Sequence, residues 1–508
     1  MGVQAPFPGP RRGREVRYQR LGNLIFGRTV YQKLARLYAA VILLGFGALS
    51  LPFARASDGG SSDHFANFFT AVSSFTTTGL SIKAPLDSLD TVGQIVVLIL
   101  IQIGGMGVVT IWTFLKHLFF KARKHTIEEK MNLFSERGGV SEGISYDVVK
   151  SALKTLFALE ILLSVFLTYF FYIVTPAVSC EATSSKSDFW KSLHRGVFHA
   201  ISAVNNAGLD IISKNNSVSS YSSGWGVILT VVFVLASVVG GIGYPVLYEV
   251  KGWIVNRRKT KSAWASLSLF SKISLTTYFS ITVLASGLIL FAAYLTNNFP
   301  SLKPCNLNYW EKGWQLVYLV FSSRSAGFAG VDLKSLDEKI QWALLVLMFI
   351  GASPASTAGG IRSITLFLIL GKVWITIRGR RSLSVFSRTI SNETIENAYI
   401  VFFVSAVLIT VVSLFMPNLN NGQSSGGGSE KHAALFEAAS AFGTSGLSLG
   451  YTSGLASGES HKKWVGGILL MMLMFVGQMG VPNLLLYYTR PRPYKQNFVN
   501  PEERLRIA

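Results

Sequence analysis

Charge is scarce in this sequence. Of 508 residues only 14% are Asp, Glu, Lys or Arg, half are apolar and the mean hydropathy is +0.40, which is too apolar for a chain whose whole surface must face water. Acidic residues are the scarcer kind, 26 against 47 Lys and Arg. Clusters of His, Cys, Asp or Glu at ligand or catalytic spacing are lacking: His194 and His199 stand five apart with no partner near them in the sequence, which argues against an embedded enzyme. No glycine-rich phosphate cradle ends in Lys-Ser/Thr, so the chain is not expected to hydrolyse ATP. A cleavable leader is missing too, because the first apolar run follows some thirty polar or basic residues without a small-residue cleavage site. Cysteine is nearly absent. Cys180 and Cys305 fall in loops expected to face outward, and their spacing leaves a disulfide and two free thiols equally open.

What is present is a set of long apolar runs. At 1.5 Å per helical residue, eight of them suffice to cross a hydrocarbon core of about 30 Å: near residues 33–53, 91–115, 151–175, 225–250, 272–296, 340–377, 397–416 and 464–488. The net charge of +21 lies in alternate connecting segments. Arg11, Arg12, Arg14, Arg17, Arg20, Arg28, Lys33 and Arg36 precede or open the first run, and Lys116, Lys121, Arg123 and Lys124 follow the second. Lys251, Arg257, Arg258, Lys259 and Lys261, then Arg378, Arg380, Arg381 and Arg388, then Arg490, Arg492 and Lys495, continue the series. This asymmetry predicts a multi-pass protein of the cell membrane with these segments and both termini cytoplasmic. The N-terminal arginines read as a tether to anionic lipid rather than to nucleic acid, since no aromatic stacking platform accompanies them.

An internal repeat organises the runs. Phe69-x-Ala71-x-Ser73 leads to Thr77-Thr78-Gly79-Leu80, Phe198-x-Ala200-x-Ser202 to Asn206-Ala207-Gly208-Leu209, and Phe436-x-Ala438-x-Ser440 to Thr444-Ser445-Gly446-Leu447. A weaker third copy, Val317 to Phe321, leads to Ser325-Ala326-Gly327-Phe328, and the four glycines fall about 129, 119 and 119 residues apart. Each copy lies between two long runs and is too short to span, so it is expected to be a re-entrant half-helix followed by an extended loop. Irregular backbone at such depth is tolerated only inside protein or beside water. Four such loops around one axis would line a pore. The expected fold is therefore an all-α membrane protein of four units, each a span, a pore helix and a second span, with eight transmembrane helices in all.

A half-helix entering from outside points its C-terminal carbonyls, with about half a negative charge, at the membrane centre. The loop beyond can turn carbonyls inward as a substitute hydration shell, with glycine supplying the backbone angles. The neighbouring side chains Thr77, Thr78, Asn206, Ser325, Thr444 and Ser445 are neutral, which favours a monovalent cation over calcium. Further glycines recur some 25 to 32 residues on, in Ile103-Gly104-Gly105-Met106-Gly107, Val239-Gly240-Gly241-Ile242-Gly243 and Val476-Gly477-Gln478-Met479-Gly480, and Ile350-Gly351 opens the copy in the third repeat. Close helix packing is the expected role of most of them. The run at 340–377 is too long for one crossing and is interrupted by Gly351-Ala352-Ser353-Pro354-Ala355-Ser356-Thr357-Ala358-Gly359-Gly360. Glu160 is nearly alone at membrane depth, while His199 and Glu437, near the starts of pore helices, read as residues of a solvated mouth.

From these stretches the chain resembles the pore subunit of Ktr potassium uptake systems, within the superfamily of Trk subunits and plant HKT transporters. The resemblance covers roughly residues 33–488 and is carried by Phe198–Asp210, Arg324–Gly327, Gly351–Arg362 and Phe436–Leu449. It implies potassium uptake, since a serine at the first filter position goes with sodium transport in that superfamily and Gly79 stands there. A sodium-selective or weakly selective transporter is the alternative. It also implies that residues 351–362 form an intramembrane gating loop beneath the filter, against which stands a static kink. Two departures matter: alanines at 352, 355 and 358 where the family is richer in glycine, and Gln478 where relatives carry a basic residue below the filter. The transported ion would be K+, with Na+ as a coupling or activating ion and no organic cofactor. Partners implied by the resemblance are a second copy of the chain and a cytoplasmic ring of nucleotide-binding regulatory subunits. The expected division is a basic segment 1–32, a first repeat 33–125, a linker 126–149, a second repeat 150–258, a third 259–388, a fourth 389–490 and a tail 491–508. The loop Asn418–His432 reads as a flexible connection.

Overall fold

The computed structural model describes residues 29–54, 63–82, 86, 89–120, 136, 146–174, 188–212, 218, 221, 224–256, 263–296, 308–380, 382–418, 430–455 and 460–488. Cys180 and Cys305, the basic clusters at 11–28, 121–124 and 257–261, the charged tail and most of the 418–432 loop lie outside the described residues.

The molecule is built of helices. In chain order they are α1 (Val30–Ser50), α2 (His64–Phe75), α3 (Thr91–Met106), α4 (Val108–Phe120), α5 (Tyr146–Ile173), α6 (Phe189–Val204), α7 (Val227–Gly241), α8 (Tyr244–Asn256), α9 (Leu269–Thr296), α10 (Tyr309–Phe321), α11 (Glu338–Phe349), α12 (Ser363–Ile377), α13 (Asn392–Phe415), α14 (Glu430–Gly443), α15 (Ser460–Met479) and α16 (Val481–Tyr488). A two-residue hairpin, β1 (Ser384–Val385) with β2 (Arg388–Thr389), joins α12 to α13.

Length and apolarity sort the helices into two kinds. Helices α1, α5, α9 and α13, and α7 together with the 3-10 turn that leads into it (Gly224–Gly241), are each long and apolar enough to cross a membrane alone. Four of these, α1, α5, α9 and α13, leave most of their surface uncovered: Leu44 is 74% exposed, Leu288 68% and Phe403 69%. Apolar residues so placed are stable against lipid, not water. By contrast α2 and α14 are buried along most of their length, and α6 and α10 along about half of theirs. The 12 residues of α2 extend about 18 Å, short of the hydrocarbon core. Side chains fix where three of these short helices begin: Asp63 accepts from the Ala66 N–H, Asp188 from the Trp190 N–H, and Asn308 and Glu311 form a capping box.

The remaining long runs are broken. Helices α3 and α4 meet at Gly107 with a bend of 91°. Gly243 separates α7 from α8 and Gly480 separates α15 from α16, and all three glycines have positive φ, 88°, 92° and 82°. Only glycine adopts such angles without a Cβ clash. The apolar runs at 91–115 and 225–250 are thus each interrupted at a glycine. In three of the four motifs the opening glycine packs against another helix, while Gly351 lies against Gly359 of its own loop. A Cβ on Gly104, Gly240 or Gly477 would lie 1.6, 2.1 or 2.0 Å from the carbonyl oxygen of Phe75, Val204 or Phe442. The C-terminal ends of α2, α6 and α14 thus rest directly on the backbones of α3, α7 and α15.

Candidate functional site

The chain leaves α2, α6 and α14 in the same way. A wide turn closes each helix through Thr78 N–H to Ser73 O at 2.9 Å, Ala207 N–H to Ser202 O at 2.8 Å and Ser445 N–H to Ser440 O at 3.0 Å. Thr77, Asn206 and Thr444 then take positive φ of 50°, 55° and 48°, and Gly79, Gly208 and Gly446 take 87°, 63° and 79°. Positive φ in Thr and Asn is uncommon and costs of order 1–3 kcal/mol, a strain typical of ligand-binding backbone. The segment after α10 differs. There Ser322–Ala326 forms a single π-type turn and the Gly327 N–H, not that of Ala326, bonds Ser322 O at 3.1 Å. Ser322 also donates to Phe328 O at 2.6 Å as Ser202 donates to Leu209 O at 2.9 Å. Ser322, not Phe321, is thus the counterpart of Ser202, and the third copy is one residue shorter than the frame read from the sequence.

The four segments close on one another. A Cβ on Gly79 would meet the Ala207 carbonyl oxygen at 2.5 Å, one on Gly208 that of Ala326 at 2.6 Å, one on Gly327 that of Ser445 at 2.3 Å, and one on Gly446 that of Thr78 at 2.3 Å. Each glycine therefore abuts the carbonyl just before the next glycine, and the fourth abuts the first. The flanking Thr78, Leu80, Ala207, Leu209, Ala326, Phe328, Ser445 and Leu447 are buried. The result is a ring of backbone with no room for a side chain at any of its four glycines.

Residues 350–361 fold directly against this ring. Ile350 and Ile361 pair as a bridge, so the loop's ends meet. Asn206 donates through Nδ2 to Thr357 Oγ1 at 2.8 Å, Thr77 Oγ1 to Thr357 O at 3.4 Å, and the Gly359 N–H to Thr444 Oγ1 at 2.8 Å. The three positive-φ residues that precede the ring are thus the ones that hold the loop. On its far side the loop heals the break in α7: the Ser353 and Thr357 N–H groups bond Gly241 O and Gly240 O at 3.1 and 3.3 Å, and Ala355 O accepts the first N–H of α8, from Tyr244, at 2.9 Å. Of the three alanines, Ala355 bears the cost of replacing glycine, with φ of 55°. Arg324, wholly buried, donates to Gly351 O at 2.8 Å and to Thr282 Oγ1 at 3.4 Å, with its guanidinium carbon 4.9 Å from the centre of the Tyr278 ring.

Below the loop, a cavity of about 10 Å3, room for about one water, is lined by Gly104, Ala358, Arg362, Gln478, Glu136 and Tyr38 among others. Gln478 gives its amide to Gly104 O at 3.0 Å. A cation does line this space, supplied by Arg362, whose guanidinium bonds Ala358 O. Glu136, which the sequence places in a linker, accepts from the Val109 and Thr110 N–H groups and the Thr110 hydroxyl at 2.9, 2.9 and 2.8 Å. It caps α4 where the bend exposes that helix's first amides.

Two expectations, both about a solvated mouth, are corrected, and Glu160 has neutral partners. Glu160 is bonded to Gln102 and Asn205. His199 and Glu437 are fully buried, not residues of a solvated mouth, and are bonded to Asp210 and to Ser448 and Thr452. His199 and Glu437 each join a helix to the loop that returns past it, whereas Glu160 on α5 meets Gln102 on α3.

Known proteins resemble this chain. A family model described as "TrkH: Cation transport protein" matches residues 38–496. An uncharacterized cation transporter of Mycoplasma pneumoniae is 29% identical over 96% of this chain and 97% of its own length. Ktr system potassium uptake protein D of Bacillus subtilis is 29% identical over 96% of this chain and 99% of its own. The crystal structure of the potassium transporter TrkH from Vibrio parahaemolyticus shares the fold at a TM-score of 0.64 and 15% identity, covering 91% of this chain and 85% of that one. The chain is accordingly a multi-pass, all-α membrane protein and a transporter rather than an enzyme, and it belongs to the TrkH family of cation transport proteins.

Proposed function

We propose that this chain carries potassium ions into the cell through the glycine ring, which acts as a selectivity filter, and that residues 351–360 are the gate beneath it. The observation that carries the reading is the closed circuit of Gly79, Gly208, Gly327 and Gly446, each against the carbonyl that precedes the next. Backbone carbonyls arranged around one axis replace a cation's hydration shell, and no carboxylate side chain stands among the ring residues to favour a divalent ion. The potassium in the name of the Bacillus subtilis relative points the same way.

In this reading the chain is four copies of a span, pore helix and broken or kinked span around one pore, divided as the sequence suggests. Helices α2, α6, α10 and α14 are the pore helices, and both termini with their basic flanks lie in the cytoplasm. A second copy of the chain and a ring of nucleotide-binding subunits on the cytoplasmic face are the partners expected of a Ktr-type pore.

Ion flux into liposomes under imposed potassium, rubidium or sodium gradients tests the assignment. Potassium and rubidium are expected to pass faster than sodium. Gly79→Ser, whose Cβ would press on the Ala207 carbonyl at 2.5 Å with φ of 87°, is expected to lower that preference by about tenfold or more, the effect of 1.4 kcal/mol. Sodium flux alone in the unaltered protein, or an unchanged ratio in the variant, overturns it.

A further inference from the structure

Two polar pairs lie behind the ring at matching places. His199, the residue after Phe198 on α6, sets Nε2 3.0 Å from Asp210 Oδ1, and Asp210 follows Gly208 by two. Glu437, the residue after Phe436 on α14, accepts from the hydroxyl of Ser448, which follows Gly446 by two, and from Thr452 Oγ1 and N–H at 2.9 and 3.2 Å. Each pair spans eleven residues. The segments they brace are not neighbours, since Gly208 and Gly446 each abut Gly79 and Gly327. They therefore face each other across the axis. At the corresponding third position, counted from Ser322, stand Leu319 and Ala329, neither of which has a polar side chain.

Both helix residues are completely buried, and a buried ionisable group is stable only while its hydrogen-bond partners stay. Phe171, Phe233 and Phe328 rings surround His199 at 5.5, 6.1 and 6.5 Å. Its two ring nitrogens both face oxygen acceptors, Nδ1 the Arg195 carbonyl at 2.7 Å and Nε2 the Asp210 carboxyl. Asp210 also accepts the Ile212 N–H at 2.7 Å, and the intervening Leu209 carbonyl is taken by Ser202 at 2.9 Å. The backbone just beyond Gly208 is therefore pinned on consecutive residues to the helix behind it.

We propose that His199–Asp210 and Glu437–Ser448 are opposed outer struts, positioning residues that hold the second and fourth filter segments at a fixed radius and thereby set ion selectivity. The proposal rests on the filter reading above. Carbonyl selectivity depends on how closely and how rigidly the oxygens surround the ion, so releasing a strut lets the segment relax and costs discrimination before it costs passage.

The test measures the rubidium-to-sodium flux ratio of the full-length protein in liposomes, alongside thermal stability in detergent. Asp210→Ala and Ser448→Ala are each expected to move the ratio roughly tenfold toward one, with a smaller loss of total flux. Asp210→Asn, which can still bond Ile212 and His199, is expected to recover most of the ratio. A side chain that served folding alone would lower yield and stability without this pattern. If Asp210→Ala does not fold, Ser448→Ala decides the matter, because it removes one hydroxyl and leaves Glu437 bonded to Thr452. Ratios unchanged in every folded variant overturn the struts. Should the unaltered protein prefer sodium, the potassium assignment falls, while the struts are still judged by whether the ratio moves toward one.

Discussion

Replacing Thr357 by Val should loosen the loop from the ring without changing its shape. The hydroxyl accepts from Asn206 Nδ2 at 2.8 Å and donates to Gly240 O at 3.2 Å; valine does neither. Each net hydrogen bond is worth about 0.5–1.5 kcal/mol, and an amide donor left buried and unpaired costs about 1–3. Gly240 O keeps the Thr357 N–H, so the larger loss falls on Asn206. A total of about 2 kcal/mol is a factor of roughly thirty in the ratio of docked to undocked loop. If the docked loop blocks passage, rubidium uptake into liposomes rises by up to that factor in Thr357→Val, while Thr357→Ser stays within about twofold. A folded Thr357→Val protein that conducts no faster than the original refutes the gate and leaves the segment as a static kink.

Ala355→Gly removes the strain of a φ of 55°, about 1 kcal/mol, offset in part by glycine's freedom in the undocked loop; a higher midpoint of thermal unfolding in detergent is expected, and a lower one contradicts the strain. Gly104→Ala places a Cβ 1.6 Å from Phe75 O and should abolish monodisperse protein on size exclusion, whereas Gly47→Ala, with nothing within 4 Å, should be neutral or gain a few tenths of a kcal/mol from helix propensity. Glu136→Ala uncaps α4, a loss of about 1–2 kcal/mol, visible as a drop in thermal stability; an unchanged midpoint would mean that water serves the Val109 and Thr110 amides equally well.

The glycine ring was legible in the sequence because its cause is local. In three copies a wide turn closes on the backbone carbonyl of the motif's serine and a glycine with positive φ follows at once, so Phe-x-Ala-x-Ser and Gly-Leu recur together. The third copy misled by one residue, since its wide turn from Ser322 ends on Gly327 itself, and a frame fixed by the glycine then sets Phe321 where Ser322 belongs. The outer spans were legible by length, but the kinks at Gly107 and Gly243 were not: a hydropathy run is blind to direction. Nor could any pattern foresee that Glu136 would cap α4, or that Arg362 would line the cavity in which Gln478 lacks a charge. Those contacts join segments whose separation along the chain carries no periodic signal.

The broken helices and the loop are one arrangement. A helix interrupted at membrane depth leaves amides and carbonyls that lipid cannot satisfy, at several kcal/mol each. Here the first amides of α4 go to Glu136, the last carbonyls of α7 to Ser353 and Thr357, and the first amide of α8 to Ala355. The groups that hold the loop beneath the ring are thus also the groups that make the break in α7 tolerable. A loop that moved away dry would orphan Gly240 O, Gly241 O and the Tyr244 N–H together, whereas one replaced by water would orphan none of them. If the loop is the gate, its opening and the wetting of the cavity below the ring must therefore be a single event, and the closed state needs no apolar seal, because the hydrogen bonds that mend α7 already occupy the path.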